Sequence, residues 1–207
     1  MLILVRHGES VANAQGLLLG RTDAPLTEHG RAQAMAARAL LANPVGELRT
    51  SPLGRARETA ALLGLGLTPV VDDRWIEVDY GAYECQPLGD VPADVWVQWR
   101  RDPWFRPPEG ETLAEVYERV RACCEELFAT DGHGARSAEG DVVIVSHVTP
   151  IKAAVAWALG ADPGLSWRLY LRTASVTRVG WGRGCPVLHG FNEVVPEPST
   201  APQSPDA

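Results

Sequence analysis

The chain has 207 residues and a mass of 22.3 kDa, enough for one ordinary domain with a modest insertion. Its 45% hydrophobic and 22% charged residues are those of a chain that folds around its own core. The net charge of −7 excludes a general nucleic-acid binder, which needs a basic face to displace counterions from phosphates.

The apolar runs fall short of the roughly 20 residues of a membrane helix, and Met1–Val5 runs straight into Arg6. Neither a membrane span nor a signal peptide is expected, and the protein is placed in the cytoplasm. Cys85, Cys123, Cys124 and Cys185 lack CxxC spacing and read as buried or half-buried thiols rather than a disulfide framework. No His and Cys stand at metal-ligand spacings, so no metal is expected.

In chain order, Met1–Val5 has the continuous apolar character of a buried central strand. A helix is predicted from about Thr27, with Ala32, Met35, Ala36, Ala39 and Leu40 as its apolar stripe. Asn43-Pro44 ends it, and Val45–Thr50 reads as a second strand. Helical spacing follows from Leu53 to Leu63, then a third short strand over Thr68–Val71. From Cys85 to about Glu111, five prolines sit among Trp96, Trp99, Trp104 and Phe105, the pattern of an irregular or short-helical insertion. Thr112-x-x-Glu115 is a capping box ahead of a helix built on Leu113, Val116, Tyr117, Val120, Cys124 and Leu127. Asp131–Gly140 is a Gly- and charge-rich loop. Val142–Val145, four consecutive β-branched residues, is the clearest strand of all. After it, Thr149 is expected as an N-cap with Pro150 at the first helical position. Ile151, Ala154, Val155, Ala158 and Leu159 form that helix's buried face. Ala174–Gly180 and Pro186–His189 are late strands.

This alternation predicts a three-layer α/β/α sandwich with a mostly parallel central sheet and a small helical or irregular insertion over the active site. One domain spans residues 1–192, with its insertion at about 85–111, and residues 193–207 are expected to be a disordered tail. Ligands of such sheets bind at the carboxyl ends of the strands. His7 and His147 sit there, after the two clearest strands.

A neutral imidazole is a competent nucleophile toward phosphorus. Beside His7, the planar fork of Arg6 suits phosphate oxygens. Alone, His7 reads first as a structural histidine at a strand end. Its company changes that reading. Arg55 lies in the first turns of a helix after a strand, and His147 precedes a helix N-terminus with its orphan N–H groups. Two Arg, two His and a helix terminus on one edge form a pocket for a dianion, as phosphoryl transfer requires. No Walker-type loop is present. The proton for the leaving oxygen points to Glu77, whose apolar neighbours would favour its acid form. Asp79 and Glu84 are rivals.

Arg6-His7-Gly8-Glu9-Ser10 with Asn13 resembles the RHG signature of the histidine phosphatase, or phosphoglycerate mutase-like, superfamily. Gly20–Gly30, Ser51-Pro52-Leu53-Gly54-Arg55-Ala56, Glu77-Val78-Asp79-Tyr80-Gly81 and Ser146-His147 resemble that family's further blocks, in order. The resemblance implies that His7 becomes phosphohistidine while Glu77 protonates the departing oxygen and then activates water. Arg6, Arg55, His147 and Asn13 would hold the phosphoryl group, together with the backbone N–H of Val148. Arg21 and Glu9 are expected to line the pocket. It implies no cofactor, a small phosphorylated substrate, and a monomer or homodimer without nucleic-acid or membrane partners.

Val148 stands where the family usually has glycine after its second histidine, Cys85 replaces a glycine after the acid segment, and Pro108-Glu109-Gly110-Glu111-Thr112 replaces a Gly-Gly-Glu-Ser pattern. The short insertion favours hydrolysis over mutase chemistry. The Ser-His-Val-Thr-Pro-Ile-Lys stretch resembles members described as acid or α-ribazole-phosphate phosphatases, and sugar or nucleotide phosphates are equally open. A mutase and a non-catalytic phosphate-binding module are the alternatives. Within the insertion, the Trp residues are expected to form its own small core, and Arg100, Arg101 and Arg106 a solvated face.

Overall fold

Alternation along the central strands sorts their side chains onto the two faces of one sheet. In the computed structural model, which describes residues 1–128 and 140–196, β1 (Leu2–Arg6) lies parallel to β4 (Asp141–Ser146). Leu2, Leu4, Val142 and Ile144 join α5 (Leu113–Phe128) and α6 (Val148–Ala158) in one core. Ile3, Val5, Val143 and Val145 face the other way, onto α2 (Glu28–Ala37) and α3 (Gly54–Leu62). Each such buried side chain contributes about 1.5–3 kcal/mol, so apolar burial on both faces holds the three layers together.

The sheet order is β3-β2-β4-β1-β5-β6, with β2 (Val45–Thr50), β3 (Val70–Val71), β5 (Val176–Gly182) and β6 (Cys185–Glu193). From β3 through β1 all neighbours are parallel, and β5 and β6 add an antiparallel edge. The mostly parallel sandwich is therefore as expected. The capping box holds: Thr112 N–H donates to Glu115 Oε2 at 2.9 Å, and Glu115 N–H to Thr112 Oγ1 at 3.1 Å. β6 runs through Glu193, one residue into the expected tail; residues 197–207 and most of the predicted Asp131–Gly140 loop lie outside the described residues. Among the described residues, no helix is long and apolar enough to cross a membrane.

Some local expectations need correction. The buried face of α2 is Gly30, Ala34 and Ala37, while Met35 is 53% exposed. Gly30 lies against the Glu9 backbone, where a Cβ would come within 2.0 Å of the carbonyl oxygen, and the helix packs on α3, so small residues fill that face and the larger Met35 is turned outward. α6 starts at Val148 with His147 as its N-cap, which moves Pro150 to the third helical position. That helix is buried nearly all round, because it packs on both the sheet and α5, and only its end at Leu159 is exposed. Cys85 and Cys185 are exposed, unlike Cys123 and Cys124, because they sit in the insertion and at an edge hairpin.

Of the three departures from the resembled pattern, Val148 opens α6 without a positive φ, whereas Cys85 and Glu109 keep the backbone that glycine would adopt, with φ at 60° and 61°. A left-handed L-residue costs about 1–2 kcal/mol. Cys85→Gly is therefore expected to raise stability by about 0.5–1 kcal/mol after the entropy of glycine is subtracted. Cys85→Ala keeps the strain and is expected to give no gain. Equal melting temperatures for the two variants under reducing conditions would contradict this reading.

Candidate active site

Register brings the two histidines together. Arg6 pairs with Ser146 across β1 and β4, so the next residue of each strand, His7 and His147, emerges at the same level. Their ring centroids are 5.1 Å apart. β2 ends beside them at Thr50, opposite Val145, and places Ser51 on the same edge. Gly8 is needed here because the backbone of the turn after β1 touches the start of α2. A Cβ on Gly8 would lie 2.2 Å from the Gly30 carbonyl oxygen.

The hydrogen bonds fix the chemistry of each ring. His7 Nδ1 lies 2.7 Å from the Gly8 carbonyl oxygen, which can only accept, so Nδ1 carries the proton and Nε2 keeps its lone pair. His147 Nε2 is 2.7 Å from Ser51 Oγ, which itself accepts from Leu53 N–H. His147 Nδ1 is buried without a partner among the described residues, and an anion beside it selects the tautomer in which Nδ1 carries the proton and the serine hydroxyl donates to Nε2. The guanidinium Nε atoms of Arg6 and Arg55 are buried and unpartnered too. The rest of each fork is anchored: Arg6 donates to the Leu171 carbonyl at 2.7 Å, and Arg55 to Gly20 and Thr22 carbonyls at 2.6 and 2.9 Å. Asp23 caps α3 through Gly54 N–H at 2.6 Å, tying the Gly20–Gly30 segment to Arg55. Three orphaned donors around one free imidazole nitrogen make an anion pocket, since buried polar groups otherwise find partners.

Glu77 occupies the place expected for the substrate's anion. Its carboxylate accepts from the N–H groups of Val148 at 3.1 Å, Thr149 at 3.2 Å and Val78 at 2.8 Å, at the positive end of α6. The apolar neighbours Trp75 and Val78 turn into the core and do not surround the carboxylate. The Val148 N–H is thus engaged by Glu77 in the free site. The rivals for the acid role are tied elsewhere. Glu84 accepts from the backbones of Arg21, Thr22 and Tyr80, and Asp79 from Gly81.

Arg6, His7, Asn13, Arg55, Glu77 and Val148 line one cavity of about 310 Å³. Asn13 Oδ1 accepts from Ser10 N–H and Oγ, which turns its NH₂ toward a ligand. His147 is fully buried behind His7 and, with Arg21 and Glu9, is not in the lining. Arg21 is held by Glu111 at 3.1 Å and Asp79 at 3.6 Å, and Glu9 accepts from Thr27 Oγ1 at 2.8 Å, so local partners draw both away. The insertion residues divide. Trp99 and Trp96, both on α4 (Ala93–Arg101), belong to the insertion's own core with Val91 and Val95, yet both also line the cavity. Trp104 is 64% exposed. Arg106 pairs with Glu115, and Arg100 lies over Trp96 and Trp167, 6.0 Å from each ring. Sequence reasoning missed Tyr80, Lys152 and Trp167 in the lining. Lys152, one turn into α6 and the only lysine of the chain, carried a readable signal; Trp167 had none.

Burial is the largest influence on both imidazoles and holds them well below the usual 6.5, with Arg6 and Arg55 acting in the same direction. Below pH 6.5 the unfolded chain protonates these rings and the folded chain does not, so stability falls as pH falls through that range. Each ring contributes up to about 1.4 kcal/mol per pH unit. The ligand-free protein is expected to lose melting temperature between pH 6.5 and 5, and His147→Gln to flatten the slope. A melting temperature constant over that interval would contradict two buried neutral rings.

Among the described residues, no group of three or more His, Cys, Asp or Glu side chains stands ready to hold a metal. Residues 2–194 match the histidine phosphatase superfamily (branch 1). A bifunctional protein of Mycobacterium tuberculosis is 36% identical over 183 residues, covering 85% of this chain and 49% of that protein. The chain thus spans about half the length of the mycobacterial relatives it matches. A probable phosphoglycerate mutase of Yersinia enterocolitica is 34% identical over 191 residues, covering 87% of this chain and 84% of the relative. The solved structure of a mycobacterial glucosyl-3-phosphoglycerate phosphatase with VO3 superposes with a TM-score of 0.80 at 30% identity, over 92% of this chain and 98% of that one. With this match from end to end of the described strands, the chain belongs to the histidine phosphatase superfamily.

Proposed function

We propose that the protein is a metal-independent phosphomonoesterase that hydrolyses small phosphorylated metabolites through a phosphohistidine at His7. The observation that carries this reading is the unprotonated Nε2 of His7 beside the unpartnered donors of Arg6, Arg55 and His147. His7 Nε2 attacks phosphorus, the P–O bond to the alcohol breaks, and Glu77 gives its proton to the leaving oxygen. Glu77 then takes a proton from water, which attacks phosphorus and frees His7 and inorganic phosphate. Arg6, Arg55, His147 Nδ1–H and the Asn13 amide hold the equatorial oxygens while charge redistributes over them. Val148 and Thr149 N–H keep Glu77 in place.

Glu77→Gln tests the assignment of the acid. General acid catalysis contributes about 10²–10⁴-fold, and p-nitrophenolate leaves with little need of a proton. In kcat/KM, which reports the steps up to the phosphoenzyme, the variant is expected to lose at least tenfold more on alkyl phosphates than on p-nitrophenyl phosphate. Equal losses on both would assign the proton to another group. Transfer of the phosphoryl group to a phosphoglycerate acceptor faster than to water would favour the mutase chemistry for which the Yersinia relative is named.

A further inference from the structure

Eighteen of the nineteen basic residues are arginine, and the single lysine, Lys152, lines the cavity that holds His7 and Glu77. It makes no hydrogen bond or ion pair with a described residue. Burial pushes its ammonium down to about 8, with Glu77 opposing and Arg6 assisting at longer range. When Glu77 carries the proton it donates, the reacting phosphoryl group faces Arg6 and Arg55, of which Arg55 already lies 3.6 Å from Asp23, and Lys152 is a half-buried cation with no ion-paired partner of its own.

Two residues of the same cavity wall carry a second set of unpartnered donors. The indole N–H groups of Trp99 and Trp167 are buried without an acceptor, and Trp99 is 1% exposed. Their ring centroids are 6.5 Å apart, and both rings line the cavity together with Lys152. Buried indole N–H groups normally find a partner. Around them the wall is apolar, from Leu17, Leu18 and Leu88.

We propose that Lys152, with the indole N–H groups of Trp99 and Trp167, reads a second anionic group on the leaving alcohol. The preferred substrates are phosphomonoesters whose apolar or ring-bearing alcohol also carries a carboxylate or a further phosphate. This rests on the phosphomonoesterase reading of the same cavity and adds the class of its substrate.

The test compares 3- and 4-carboxyphenyl phosphate with their uncharged carboxamides, with 1,4-phenylene bisphosphate separating a second phosphate from a carboxylate, and with p-nitrophenyl phosphate as a reference. A hydrogen-bonded charge pair predicts a preference in kcat/KM for the acid or the bisphosphate over the amide of roughly ten- to hundredfold, carried mainly by KM. In Lys152→Gln that ratio is expected to fall to about one, and in Lys152→Arg to persist, with melting curves checking that both fold. Hydrolysis of p-nitrophenyl phosphate without preference for the charged esters, or a preference that survives Lys152→Gln, would overturn the proposal and leave the phosphatase reading standing. Absence of phosphate release from every ester, p-nitrophenyl phosphate included, would overturn both.

Discussion

His7→Ala is expected to reduce phosphate release from p-nitrophenyl phosphate by about 10⁵-fold or more, the scale on which removal of a covalent nucleophile acts. The loss is chemical and leaves the fold intact. The ring's one hydrogen bond runs to the neighbouring Gly8 carbonyl, so alanine breaks no long-range hydrogen bond. Removing a ring that burial keeps neutral also removes one proton taken up on unfolding, so the variant's stability is expected to fall less steeply than the parent's below pH 6.5. The other imidazole of this edge, His147, has its Nε2 engaged by Ser51 Oγ at 2.7 Å. A variant that retains more than about one per cent of activity and a normal melting curve would exclude His7 as the nucleophile.

Arg55→Met is expected to lower kcat/KM by about 10²–10³-fold, with a smaller loss of stability of about 1–3 kcal/mol. Two consequences of one substitution set these sizes. The guanidinium is 1% exposed and joins the Gly20 and Thr22 carbonyls to the catalytic edge, so its loss leaves two acceptors unpaired and frees the segment before α2. Against that, methionine relieves the cost of burying a cation next to Arg6, which is why the stability loss stays moderate. Activity falls further because Arg55 Nε, unpartnered in the free site, is one of the donors left for phosphate. Arg55→Lys is expected to recover little of the rate, since a single ammonium cannot hold two carbonyls and a phosphoryl oxygen together. Melting curves and steady-state kinetics on the same preparations check both parts. An Arg55→Met protein with full activity would remove Arg55 from the phosphate site.

Much of the site was legible because its residues sit at ends of elements. The apolar runs Met1–Val5 and Val142–Val145 end in His7 and His147, and parallel pairing in register converts those two sequence positions into one edge. Arg55 was readable for the same reason, as the second residue of a helix that follows a strand. What was not legible depends on packing between distant segments. Local pattern gave no sign that Glu77, 71 residues before Val148, would take the N–H groups at the start of α6. The outward turn of Arg21 and Glu9 follows from partners at Glu111 and Thr27 that only the fold brings near. The α2 stripe failed because alanine and glycine bury as readily as methionine where a helix must lie close to another backbone, here that of Glu9. The insertion's tryptophans serve as its core and as the wall of the cavity at once, so a choice between the two roles was the wrong question.

The most direct measurement is rapid quenching of the protein during turnover of a ³²P-labelled phosphomonoester, followed by mapping of the bound label. One acid-labile, base-stable phosphoryl group is expected on His7, formed faster than phosphate is released and, with labelled p-nitrophenyl phosphate, whose leaving group needs little protonation, present at increased level when Glu77→Gln slows its hydrolysis. Turnover with no labelled protein at any quench time, or label on a residue other than His7, would contradict it.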